Sequence, residues 1–199
     1  MRISDEVTLH APLDRVWRAL NDPAVLVRTL PGCERLEATG PDSYKMIVTA
    51  GVASIRGTYA GEVKLHDQQP PNSFVMTASG AGGPGTVSTE VQVRLVEVDG
   101  ATRISYDAEA VVGGMIGGVG QRMLAGVGKK MAGEFFAAVD DVLNGRAEAP
   151  VAVAPEAGVF LARGRRPAAG QGFAAGAVFG AVIALAGVAL GWRLARRPR

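Results

Sequence analysis

At 199 residues the chain is long enough for one domain with a full hydrophobic core plus an appendage, and too short for two large domains. Residues 1–150 carry 14 Lys/Arg against 18 Asp/Glu, whereas residues 151–199 carry 7 Arg against Glu156 alone. A body without clustered cations argues against nucleic-acid binding, because a phosphate-tracking surface must replace counterions with Lys/Arg. The single Cys33 excludes an internal disulfide, and the opening MRISDEVTLH has no apolar run of the secretory kind, so the expected body is cytoplasmic.

Across Arg2 to His10, Ile3, Val7 and Leu9 share one strand phase. Pro12 suits a first helical turn, and Asp14 to Leu20 continues at helical spacing. Asn21-Asp22-Pro23 ends that helix and starts a short one through Leu26 to Leu30, which Pro31-Gly32 terminates.

From Glu34 to Val112 the period becomes two, with turns at 40–43, 69–72, 80–85 and Asp99-Gly100. One face collects Tyr44, Met46, Val48, Tyr59, Val63, Leu65, Phe74, Met76, Val91, Val93, Leu95, Ile104, Tyr106, Ala108 and Val112. The other is polar, with Arg56, Glu62, Lys64, Arg103, Asp107 and Glu109. A meander with one wet face needs a cover over its dry face. The long candidate is Ile116 to Leu143, where Met123, Val127, Met131, Phe135 and Val139 recur every four residues beside Leu124, Phe136 and Val142.

That helix begins oddly. Eight glycines lie between Gly113 and Gly133, and each interior glycine costs a helix roughly 1 kcal/mol against alanine. Two readings compete: small residues let the helix approach the sheet closely, or Gly117, Gly120, Gly126 and Gly128 loosen a lid over a cavity. Phosphate binding is disfavoured, since Gly118-Val119-Gly120 lacks a third glycine and Gly128-Lys129-Lys130 lacks a Ser/Thr for magnesium. His10 and His66 have no ligand partner at metal spacing, Cys33 reads as a packing residue, and Asp140-Asp141 reads as a solvated helix end. No catalytic residue and no metal site is assigned.

Residues 147–171 are rich in Ala, Pro and Gly and read as a flexible linker spanning on the order of 25–30 Å. Gly172 to Trp192 is then 21 residues without a charge, a length that spans a hydrocarbon core. Its anchor residues are Phe173, Phe179, Ile183, Leu185, Leu190 and Trp192. With twelve Gly/Ala, insertion is weakly favourable, and the arginines on both sides (Arg163, Arg165, Arg166; Arg193, Arg196, Arg197, Arg199) leave spanning and docking on a partner protein as open alternatives.

The order strand, two short helices, long meander, covering helix resembles the helix-grip fold of the START-like superfamily. The expected class is therefore α+β, an antiparallel sheet wrapped around a long C-terminal helix, with a separate apolar helix after it. The stretches Ala11-Pro12-Leu13-Asp14-Arg15-Val16-Trp17-Arg18-Ala19-Leu20-Asn21-Asp22-Pro23 and Leu30-Pro31-Gly32-Cys33-Glu34-Arg35-Leu36, with Lys129-Lys130-Met131 before Phe135-Phe136, resemble the CoxG family of carbon monoxide dehydrogenase subunits. That resemblance implies a non-catalytic accessory recruiting a molybdenum-containing CO dehydrogenase, or a related hydroxylase, to the cytoplasmic face of the membrane. It further implies an apolar cavity holding a quinone, menaquinone or ubiquinone, or another lipid. The expected walls are Trp17, Leu26, Leu30, Met46, Val48, Tyr59, Phe74, Met76, Val93, Tyr106, Met123, Leu124, Val127, Met131 and Phe135. Two rival readings remain open: a small cyclase or hydrolase on the same fold, and a purely structural tether.

Overall fold

The structure is a computed structural model that describes residues 1–147 and 158–162. In chain order the elements are β1 (Arg2–Leu9), α1 (Leu13–Leu20), α2 (Pro23–Thr29), β2 (Cys33–Gly40), β3 (Ser43–Val52), β4 (Ile55–Gln69), β5 (Ser73–Gly82), β6 (Gly85–Val98), β7 (Ala101–Gly114), α3 (Gln121–Leu143) and β8 (Val159–Leu161). The strands form one antiparallel sheet in the order β1-β7-β6-β5-β4-β3-β2-β8.

Local chemistry explains the two short helices. Pro12, at φ −61°, precedes α1, whose Val16, Ala19 and Leu20 turn inward. Asp22 caps α2 by accepting from the Ala24 amide at 2.8 Å, and Pro23 takes the first helical position, where its missing N–H is harmless.

The observed register places the alternate apolar positions of the meander on one face, for example Leu65 opposite Met76, Met76 opposite Val91, and Val91 opposite Ala108. That face is not uniform along the strands. Toward one end its cross-strand rows hold large side chains, with Phe74, Val93, Leu95 and Ile104 closing on Phe136, Val139 and Leu143 of α3. Toward the other end the rows read Met46, Gly61, Gly80, Val87 and Val112, then Val48, Tyr59, Gly82, Gly85 and Gly114. Glycine is required there by close approach: a Cβ on Gly61 would sit 2.7 Å from the Ser79 carbonyl oxygen, and one on Gly82 2.4 Å from that of Thr58. The side chains of the inner face are thus smallest toward this end.

Four expectations need correction. The period-two stretch is broken by a turn at Ala53-Ser54 that neither Gly nor Pro announces, Ala53 having φ +53°. The long helix starts at Gln121 and not Ile116, because Gly114 and Gly120 adopt φ of +77° and +93° and Met115–Val119 forms a 3₁₀ turn between them. Asp140 is not a solvated helix end: it is 9% exposed and holds the end of α3 to the end of β1. Finally, the stretch read as linker contains β8. The Gly158 carbonyl accepts from the Ala38 amide at 2.8 Å, the Ala162 amide donates to the Glu34 carbonyl at 3.0 Å, and Val159 is buried. The strand covers the otherwise open edge of β2.

Among the described residues no helix is long and apolar enough to cross a membrane. The expected apolar helix at 172–192, with Phe173, Phe179, Ile183, Leu185, Leu190 and Trp192, lies outside the described residues.

Candidate functional site

The candidate site is the region between α3 and the inner face of the sheet. The helix makes its main backbone approaches at the two flanks, to β1 on one side and to α2, α1 and β3 on the other. Its backbone stays farther from the middle strands, which it meets through side chains such as Phe136 and Val139. In its first half the helix carries Leu124, Val127 and Met131, all half-buried. Around this space Trp17, Leu26, Leu30, Met46, Val48, Met76, Tyr106 and Phe135 are also half-buried and pack against the closed core from its open side. Half-buried apolar side chains converging on one concave space are the usual lining of a small-molecule site.

The expected wall residues divide into groups. Phe74 and Val93 belong to the closed core, 8% and 7% exposed, and shape the floor through neighbours such as Trp17, whose ring meets Phe74 edge-on at 5.8 Å. Tyr59, Leu124, Val127 and Met131 are half-buried and stand apart from that core. Met123 does not line the groove; it is 49% exposed and faces outward from the first turn of α3.

The four glycines proposed as a loose lid also separate. Gly126 has nothing within 4 Å of where a Cβ would be, so helix propensity alone is at stake there. At Gly128 a Cβ would come within 2.5 Å of Ile3 Cδ1, so this glycine serves close packing of α3 on β1. Gly120 precedes α3 with a positive φ, and a Cβ on Gly117 would press the Val112 carbonyl oxygen at 2.9 Å. Close packing thus accounts for glycine at position 128, whereas Gly126 faces open space.

Two phenols on the inner face are shifted in the same direction. Burial raises the pKa of Tyr106, with the Asp5 carboxylate adding to it, and burial followed by Asp42 and Asp22 raises that of Tyr44. Both stay neutral at pH 7 and able to donate a hydrogen bond. The Cys33 thiol, buried, is pushed up to about 11, so it is a thiol and not a thiolate.

Sequence reading missed one polar cluster because its members lie 130 residues apart. Asp140 accepts from the His10 amide at 2.6 Å, its other oxygen lies 3.2 Å from His10 Nδ1, and Arg146 donates to it at 2.6 Å while also binding Asp141 at 3.0 Å. Burial raises the Asp140 pKa, but the His10 amide, the His10 ring and Arg146 outweigh it, leaving the carboxyl below its ordinary value. The cluster sits at the far end of α3 from the small-residue rows, so it holds the helix and does not line the groove. Among the described residues no group of His, Cys, Asp and Glu could hold a metal ion, and no buried polar side-chain atom lacks a hydrogen-bond partner.

Two open hollows of about 770 Å³ each lie on the opposite, outer face of the sheet. Their rims mix Glu62 with Lys64, Arg2 and Glu90 in one, and Arg35, Glu37 and Lys45 in the other. Apart from Met46 at one rim, none of the expected wall residues contributes to them.

A meander curled under one long helix, with two short helices inserted after the first strand, defines a START-like helix-grip domain. Solved structures agree: a START superfamily protein from Mycobacterium smegmatis aligns with a TM-score of 0.57 at 12% identity, covering 73% of this chain and 99% of that one. The Zhui aromatase/cyclase from Streptomyces sp. R1128 aligns at 0.55 and 20% identity, over 75% and 96%. Likeness at that identity is likeness of fold. A conserved protein from Geobacillus kaustophilus is more similar, at 32% identity and a TM-score of 0.71, over 74% of this chain and 98% of that one. The model of CoxG, a family of carbon monoxide dehydrogenase subunits, matches residues 6–144, and the chain belongs to that family. No curated protein matches the chain.

Proposed function

We propose that the protein is a non-catalytic accessory that binds an isoprenoid quinone in the groove under α3, on the cytoplasmic face of the membrane, and brings it to a molybdenum-containing CO dehydrogenase or a related hydroxylase. The observation that carries this reading is that the sheet's inner rows shrink to glycine at the end where β7 leads through the 3₁₀ turn into α3. An apolar space of that kind answers a physical need, since each CH₂ of an isoprenoid chain exposed to water costs roughly 0.8 kcal/mol. The neutral phenol of Tyr106, half-buried beside Phe136, supplies a donor for a quinone carbonyl. Membership of a family named for CO dehydrogenase supports the partner, and the uncharged 172–192 segment supports the membrane.

The test is mass spectrometry of lipids extracted from the purified full-length protein, followed by uptake of menaquinone and ubiquinone measured in solution without vesicles. Co-purifying or saturable quinone, with affinity lowered about fivefold in Tyr106→Phe by loss of one hydrogen bond, is the expected result. A protein that carries no apolar molecule and takes up neither quinone overturns the proposal. For the partner, pull-down from membranes should recover the hydroxylase; its absence would remove the recruitment role alone.

A further inference from the structure

The strand ends separate the turns into two sets with opposite chemistry. The β2–β3, β4–β5 and β6–β7 turns lie at the large-residue end; Asp42 and Asp99 stand in the first and last, and Asp67 in the irregularity just before β4 ends, each at a positive φ that aspartate tolerates. At the small-residue end the β3–β4 turn puts Ala53 in the same backbone conformation, where alanine is disfavoured, and the β5–β6 turn is Gly83-Pro84. The second of these turns meets the 3₁₀ turn that precedes α3. A Cβ on Gly57 would lie 2.5 Å from Pro84 Cγ, and the Ile116 amide donates to the Pro84 carbonyl at 3.2 Å.

The segments forming this end, 51–57, 82–86 and 111–126, contain no carboxylate and two exposed arginines, Arg56 and Arg122. Neither arginine takes part in an ion pair among the described residues, whereas Lys129 and Lys130, further along α3, pair with Asp5 and Glu134. Glu34 sits a row behind, accepting from the Thr49 hydroxyl at 2.7 Å. Two methionines project here as well, Met115 at 66% and Met123 at 49% exposed. Flexible apolar side chains and unpaired cations around a rim without acids match the headgroup boundary of an anionic bilayer.

We infer that this glycine-rich end of the domain is itself a membrane-docking surface, which seats the groove's open half against anionic lipid so that an apolar ligand passes between bilayer and groove without crossing water. The inference deepens the quinone-binding reading and rests on it for the cargo; the lipid contact stands on the charge and exposure of this end alone. It assigns Met115 and Met123 to the lipid boundary, which accounts for Met123 facing outward when its spacing predicts a wall residue. It also accounts for Ala53, since an aspartate at that turn would repel the headgroups.

The experiment uses the full chain labelled with an environment-sensitive dye at Ser54→Cys, or at Asn72→Cys on the opposite end, with Cys33 buried and unreactive. Quinone-free vesicles of phosphatidylcholine, or of an equimolar mixture with phosphatidylglycerol, are then added. The expected result is a blue shift at position 54 with the anionic vesicles and none at position 72. Arg56→Gln and Arg122→Gln should each raise the lipid needed roughly fivefold, and added salt should reproduce that weakening in the unmutated protein. Equal shifts at both ends, no shift at 54, or a shift at 54 that appears only with membrane protein present would overturn the inference, the last in favour of a protein partner. Because quinone uptake is measured without vesicles, a failure here leaves the proposed cargo standing, and a failure of uptake leaves this contact standing.

Discussion

The two halves of α3 are one continuous helix in two different environments. From Phe136 to Leu143 the helix is locked: Phe136, Val139 and Leu143 enter the closed core, and Asp140 ties it to His10 and Arg146. From Gln121 to Lys130 it has no fully buried residue, carries Gly126 and Gly128, and meets β1 through Gly128 and Lys129. The contrast teaches that burial is concentrated at one end of the covering helix and thins toward the other. Stability and ligand exchange should therefore respond to different residues.

The sharpest way to break the comparison is to truncate each half in turn. Phe136→Ala should lower stability by about 3–5 kcal/mol in chemical denaturation, as expected for an emptied core position. Met123→Ala, on the exposed face, should stay within about 0.5 kcal/mol of the parent. Similar losses from both would mean that the first half is as closed as the second.

The strand β8 sharpens the boundary of the domain. A chain ending after Ala162 should be as stable as the full protein, whereas one ending after Ala147 should lose about 2 kcal/mol, because Val159 leaves its buried site and the β2 edge opens. Thermal melts of the two truncations read this directly, and equal melting temperatures would show β8 to be dispensable.

Asp140 supplies a pH test of the locked half. Its carboxyl titrates below the ordinary aspartate value of about 3.9, so its contribution is present above that pH and lost as pH falls through the folded-state value. Asp140→Asn should therefore cost about 1–3 kcal/mol at pH 7, with the gap to the parent closing as the medium is acidified below about pH 4. A gap that stays constant with pH would contradict the role given to the His10 and Arg146 contacts.

How far these features were legible in the sequence follows from their range. The inward residues of the meander are written as local periodicity, and the register confirms their common face; of the stripe read on α3, Val139 is buried, Phe135 packs against the core and Met123 is exposed. The asymmetry along the sheet was not legible, because Gly61, Gly80 and Gly82 act by lying opposite other strands' backbone. The Asp140 cluster joins residues 130 positions apart. The strand β8 has three residues inside an Ala/Pro/Gly-rich stretch, too few for a period to show. Met123 falls in the right helical phase for the groove, but the helix has begun only at Gln121, and its first turn lies beyond the sheet rows that would bury it.

The smallest effect tests the glycines. Gly126→Ala should stabilise by up to about 1 kcal/mol and slow ligand exchange, since the methyl group meets only open space. Gly128→Ala should give no gain, because Ile3 must move to admit the methyl group. If both alanines stabilised alike, close packing on β1 would not be what holds glycine at position 128.

Amide hydrogen exchange with and without bound quinone tests the central claim most directly. The account predicts that quinone slows exchange across Gln121 to Met131 while leaving Phe136 to Leu143 unchanged, because only the first half of the helix covers the open groove. Quinone binding that protected neither half, or that protected the outer face of the sheet instead, would contradict it.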